Sequence, residues 1–174
     1  MKLISSDTNI WLDFNTIAKL DLPFKLPYTY IMYKEALREE IISPPSLLSD
    51  LQDYGLQGVE LTTEEFYYAV ELSEKYVKLS GYDRTALAIA KMRNIPLLTG
   101  DNPLRQAAKY EGVEVFGTIG LLDRLFEGRY IRKKEYLHCL EELLCHKERR
   151  LPVEELQKRI DAIKLETKNR ERGD

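Results

Sequence analysis

Tyr82 to Ala108 read YDRTALAIAKMRNIPLLTGDNPLRQAA. The segment Tyr82 to Arg93 is rich in Ala and other strong helix formers, so it predicts the clearest helix in the chain. IPLLTGD then reads as a short buried strand that ends in a turn, and Pro103 to Tyr110 as a second helix opened by a proline. Helix, strand and helix at this spacing form the middle of a crossover unit, which belongs in a parallel sheet.

The same rhythm extends to either side. KLISS (Lys2 to Ser6) is a β-type run, and DTNIWLDFN after it spaces Ile10, Trp11 and Phe14 for a helical turn. YTYIMY (Tyr28 to Tyr33) is rich in β-formers, and KEALREEI follows with Leu37 and Ile41 at i,i+4 until Pro44-Pro45 ends its neighbourhood. GVELTT (Gly58 to Thr63) is a weaker strand candidate. EEFYYAVELSEKYVKL after it puts Phe66, Val70 and Val77 at helical spacing, and VEVFG (Val113 to Gly117) is the last strand. An α/β fold with a mainly parallel sheet and helices on both faces is expected, with ligands bound beyond the carboxyl ends of the strands.

A chain of 174 residues suits one domain, and a net charge of −3 argues against holding nucleic acid by bulk positive charge. The charge is unevenly placed. Residues 1–128 carry 13 Lys+Arg against 19 Asp+Glu, whereas residues 129–174 carry 13 against 10. The alternation of strand and helix also stops at Gly128, so a body (1–128) and a helical extension (129–174) are expected. The extension should hold two helices separated near Leu151-Pro152, with LETKNRERGD frayed at the end. Arg132, Lys133, Lys134, Lys147, Arg149 and Arg150 there either steer a polyanion or form a solvated face. Two cysteines are too few for a secreted disulfide framework, and no run approaches the ~18 apolar residues of a membrane span. A soluble, cytoplasmic protein is expected.

Asp7 follows the first strand, Asp101 follows the IPLLTG strand, and Asp83 opens the helix leading into it. All three fall at one edge of the sheet. Gathered carboxylates raise one another's pKa and are tolerated mainly around a cation, and Mg²⁺-like ions with oxygen ligands suit phosphodiester chemistry. Each acid also has a structural explanation. Asp7 can make an Asx turn, Asp83 can close a capping box with Ser80, and Asp101 can cap the next helix.

Together, Asp7-Thr8-Asn9 after a short first strand, YDRTALAIAK around Asp83 and IPLLTGDNPLRQAA around Asp101 resemble the PIN-domain ribonucleases. VapC-type toxins and related predicted nucleic-acid-binding PIN proteins are similar, and EGVEVFGTIGLL (Glu111 to Leu122) resembles the segment that closes the sheet in the latter group. The resemblance implies a three-layer α/β/α sandwich and a metal-dependent endoribonuclease, as in the toxin of a toxin–antitoxin pair. Its implied site is Asp7, Glu40, Asp83 and Asp101 around Mg²⁺ or Mn²⁺. Glu40 is preferred as the second acid because Leu37 and Ile41 flank it in the family manner, and Glu39 is the alternative. Asn9 or Thr99 would hydrogen-bond ligands or substrate, and Arg105 would clamp phosphate or stand exposed on its helix. RNA, an antitoxin protein and a second protomer are the implied partners. A PIN-fold module that binds RNA or protein without cutting is the competing expectation. Of the tyrosines, Tyr28, Tyr30, Tyr67 and Tyr68 fall within regular elements and are expected in the core or at its boundary.

Overall fold

The computed structural model describes residues 2–171. In chain order the described elements are β1 (Lys2–Ser6), α1 (Thr8–Thr16), β2 (Tyr28–Tyr33), α2 (Lys34–Glu40), α3 (Leu47–Tyr54), β3 (Gln57–Val59) and α4 (Thr63–Lys75). They continue with α5 (Gly81–Met92), β4 (Leu97–Leu98), α6 (Asn102–Tyr110), β5 (Val115–Phe116), α7 (Thr118–Glu127), α8 (Lys133–Cys145) and α9 (Val153–Glu171). The five strands form one sheet in the order β3-β2-β1-β4-β5, with every pairing parallel. This is the expected α/β sandwich.

The strand order positions the site. From β1 the chain moves outward through β2 to β3, then crosses back to lay β4 on the other side of β1. That reversal opens a crevice at the carboxyl ends of β1 and β4. Ser6 pairs with Leu98, and the Asp7 amide donates to the Leu98 carbonyl at 2.9 Å, so Asp7 and Thr99 emerge side by side.

Two apolar layers cover the sheet. On one face Leu72, Leu87, Ala90 and Leu104 of α4, α5 and α6 pack with Leu97. On the other, Ile4 and Tyr30 pack with Trp11 and Phe14 of α1, Leu122 and Leu125 of α7, and the extension's Tyr136, Leu140, Leu143, Leu156 and Ile160. The two extension helices separate as expected near Leu151-Pro152, and they share a core with residues of the 1–128 segment. Arg159 of α9 donates from Nε and Nη2 to Asp123 of α7, which also accepts from the Tyr136 hydroxyl of α8 at 2.6 Å.

Several elements differ from expectation. β3 starts at Gln57 and stops at Val59, because Thr62 is already the N-cap of α4. Its hydroxyl accepts from the Glu65 amide while the Glu65 carboxylate accepts from the Thr62 amide. Within α4 the buried positions are Glu65, Ala69 and Leu72, whereas Phe66, Tyr67 and Val70 are 54%, 67% and 51% exposed. Tyr67 is thus neither core nor boundary, and Val77 lies beyond the helix. The helix α3 was hidden behind Pro44-Pro45; it buries Leu47 and Leu51 at i,i+4 and ends at Gly55, whose φ of 117° relieves the left-handed C-cap of strain. Leu165–Glu171 continue α9 rather than fraying, and the end of that tail, residues 172–174, lies outside the described residues. Among the described residues no helix is long and apolar enough to cross a membrane.

Candidate active site

Asp7 is the N-cap of α1. Its extended backbone (ψ 158°) turns the carboxylate back to accept from the Thr8 amide at 2.7 Å. The Thr99 hydroxyl donates to Oδ2 at 2.8 Å, and Asn9 Nδ2 approaches the same oxygen at 3.3 Å. Only 7% of Asp7 is exposed. Burial, chiefly, lifts its carboxyl to about 7; the charges of Asp83 and Glu40 add to the rise, and the Thr99 and Thr8 hydrogen bonds oppose it.

Glu40 ends α2, half-buried, and accepts from the Thr8 hydroxyl at 2.6 Å. Burial raises its pKa as well, the Thr8 hydrogen bond counters, and the Asp83 charge raises it further. Thr8 therefore holds Asp7 through its amide and Glu40 through its hydroxyl. It stood in the quoted Asp7-Thr8-Asn9 motif, but only the fold, by setting α2 against the start of α1, shows that link. Glu39 points elsewhere and accepts from the Tyr82 hydroxyl of α5. A narrow cavity of about 10 Å³, the size of one water, lies among Asp7, Glu40, Tyr33, Tyr82 and Thr85.

Asp83 lends its charge to both acids, but its own carboxylate is held at the start of α5. Its Oδ2 accepts from the Ser80 amide at 2.7 Å while its own amide donates to Ser80 Oγ, the full capping box. Asp101 caps α6 by accepting from the Leu104 amide at 2.9 Å. The Thr99 hydroxyl connects the two sides: it donates to Asp7 and accepts from the Asp101 amide at 3.1 Å. Arg105 donates to the Thr99 carbonyl at 3.0 Å rather than standing free on its helix. The structural explanations for Asp83 and Asp101 are thus realised, alongside their position at the crevice.

Asp7, Glu40, Asp83 and Asp101 offer carboxylate oxygens of the kind a hard divalent cation takes. None of Asp7, Glu40, Asp83 and Asp101 forms an ion pair among the described residues, and the first two are held above their ordinary range chiefly by burial, with the Asp83 charge adding to both and the Glu40 charge to Asp7. All-oxygen, acidic donors with unrelieved repulsion fit such a cation. Among the described residues, no three acidic, His or Cys side chains already enclose an ion, because Asp83 and Asp101 are directed to their helix ends. Asp7 and Glu40 are the two acids joined through Thr8.

Two of the basic residues expected either to steer a polyanion or to form a solvated face are held in ion pairs instead. Arg149 Nε donates to Asp13 Oδ1 at 2.7 Å and Nη2 to the Asn9 carbonyl at 3.1 Å, while Thr118 Oγ1 donates to Asp13 Oδ2 at 2.5 Å. Lys133 is likewise paired with Glu166. No signal along the sequence marks Asp13 and Arg149 as partners, since 136 positions separate them.

No curated protein and no solved structure matches the chain. A family model described as a PIN domain matches residues 3–165, which takes in the sheet, the acidic crevice and most of the helical extension. With that match spanning nearly its whole length, the chain belongs to the PIN-domain family.

Proposed function

We propose that the protein is a metal-dependent endoribonuclease whose site comprises Asp7, Glu40, Asp83 and Asp101. PIN domains are in general nucleases, hydrolases acting on nucleic acid, and typically use divalent metals. The observation that carries the assignment to these residues is the buried Asp7 carboxyl, lifted to about 7 beside Glu40 and Asp83 at the switch point of the sheet.

Mg²⁺ or Mn²⁺, when bound, supplies Lewis acidity and a water acidic enough to act as hydroxide near neutral pH. Asp7 would hold the ion as its carboxylate, which the Thr99 hydroxyl and Thr8 amide keep in place. Thr8 keeps Glu40 turned toward the same crevice. Asp83 contributes its charge there and would hold the ion with Asp7 and Glu40, and Asp101 stands across Thr99. Phosphodiester RNA is the proposed substrate. Cytoplasmic residence is supported by two unpaired thiols, Cys139 and Cys145. A role as the toxin of a toxin–antitoxin pair, and self-association, draw support from the exposed Phe66, Tyr67 and Val70, which a protein partner would cover.

The test is cleavage of single-stranded and structured RNA in Mn²⁺ or Mg²⁺ by the wild type, Asp7→Asn, Glu40→Gln, Asp83→Asn and Asp101→Asn. Losses of about a hundredfold or more in the first two variants are expected. Cleavage that survives all four substitutions would sink the site. RNA binding without cleavage, with metal affinity untouched by the substitutions, would instead favour the non-cutting module.

A further inference from the structure

A second cavity, of about 490 Å³, opens beside the acidic crevice. Gly100 and Asn102, on either side of Asp101, form its near edge, and the turn joining α8 to α9 forms its far wall. Its volume falls within the range of small-molecule sites. The lining is two-natured. Val115, Ile119, Leu151 and Pro152 offer apolar surface, while Arg105 and Arg150 add positive charge to the lining and Glu155 a carboxylate.

These two arginines differ from the third. Arg159 also borders the cavity, but Asp123 and Glu155 neutralise it. Neither Arg105 nor Arg150 forms an ion pair among the described residues, so both keep their charge for a ligand. Their placement is built in. Arg105 lies across Gly117, where a Cβ would come within 3.1 Å of its Nη1, and reaches the Thr99 carbonyl. Arg150 follows the 3-10 turn Lys147–Arg149, which the Arg149–Asp13 pair fastens to α1, and its backbone sits at φ 53°. Arg150 thereby takes the left-handed C-cap of that turn, its amide donating to the Lys147 carbonyl at 3.1 Å.

We propose that this cavity is a nucleotide subsite: Arg150 and Arg105 hold a phosphate, and the apolar wall takes the base. Cation paired with apolar surface is the chemistry of one nucleotide, whereas phosphate alone would leave the wall unused and a neutral base the arginines. The assignment of that nucleotide to the RNA strand next to the cleaved bond rests on the nuclease function proposed above; a free mononucleotide has the same chemistry.

Calorimetric titration of the full chain in EDTA with adenosine 5′-monophosphate, adenosine and inorganic phosphate tests the subsite apart from cleavage. The monophosphate should bind, and adenosine and phosphate each about tenfold more weakly. Arg150→Ala should weaken it about tenfold and Arg150→Lys less, since one charge-assisted contact is removed or kept. Arg150 is exposed, so folding is not at stake. In Mn²⁺ the Arg150→Ala loss on RNA should fall on KM. Monophosphate binding that ignores Arg150, or no binding at about 10 mM, overturns the subsite even if RNA is cut. Arg150-dependent binding by a wild type that cuts no RNA upholds the nucleotide site, assigns it to a free nucleotide, and removes the nuclease function.

Discussion

At the scale of single residues, Asp7 and Thr99 carry the sharpest consequences. The Asp7 carboxyl titrates near 7 in the fold against an ordinary 3.8, so folding takes up a proton between those values. This contribution to the stability of the metal-free protein is fully present below about pH 4 and is lost as the pH rises through 7. A shift of that size amounts to at most about 4 kcal/mol. The difference in melting temperature between wild type and Asp7→Asn in EDTA isolates it: the variant should gain relative to wild type as pH climbs from 4 to 8. Metal binding requires the ionised form, so affinity by calorimetry should rise over the same interval. Thr99→Val removes the donor to Asp7 and the acceptor for the Asp101 amide. A loss of about 1–3 kcal/mol in urea unfolding is expected, with Asp7 pushed still higher, readable as an alkaline shift of the metal-affinity curve.

At the scale of elements, α4 and the turn before α9 show where local pattern and tertiary placement part. Phe66 and Val70 lie at i,i+4 and mark a helix correctly, yet the helix turns Ala69 and Leu72 inward. Leu72→Ala should therefore cost about 2–5 kcal/mol and Phe66→Ser less than about 0.5 kcal/mol by chemical denaturation. The reason is visible in Glu65. This acid is buried on the inward face, where Arg93 of the α5–β4 segment reaches Oε1 at 2.6 Å and lowers its pKa, so periodicity of apolar residues alone selects the wrong face. The Arg149–Asp13 pair is the counterpart in the extension. Arg149→Ala leaves the Asp13 charge buried with only Thr118 as side-chain donor, and a loss of about 3 kcal/mol is expected. Asp13→Asn combined with Arg149→Ala should recover part of it in the same urea series.

At the scale of the whole molecule, the change of pattern at Gly128 and the change of charge there do not interrupt the core. Tyr136, Cys139, Leu140 and Leu143 of α8 and Leu156, Ile160 and Ile163 of α9 are buried in the same layer as Trp11 and Tyr30. A chain ended after Gly128 exposes that layer and should lose cooperative thermal unfolding, a change that calorimetry and near-UV circular dichroism would both register. The extension also brings Arg150 to the cavity beside Asp101.

The sequence by itself determined the element types over most of the chain, the parallel sheet and the acids at one edge. Each follows from short-range physics: β-branched and aromatic runs, helix formers, and acids beside strand ends. The tertiary structure alone decided what those acids touch. Glu40 and Glu39 are neighbours on α2 with nearly equal local claims; only the packing of α2 and α5 against the start of α1 gives Glu40 to Thr8 and Glu39 to Tyr82. The same holds for Asp13 with Arg149 and for the cavity under Arg150. Those contacts depend on how elements distant in the chain are brought together, and buried charge is satisfied by whichever partner the packing places there.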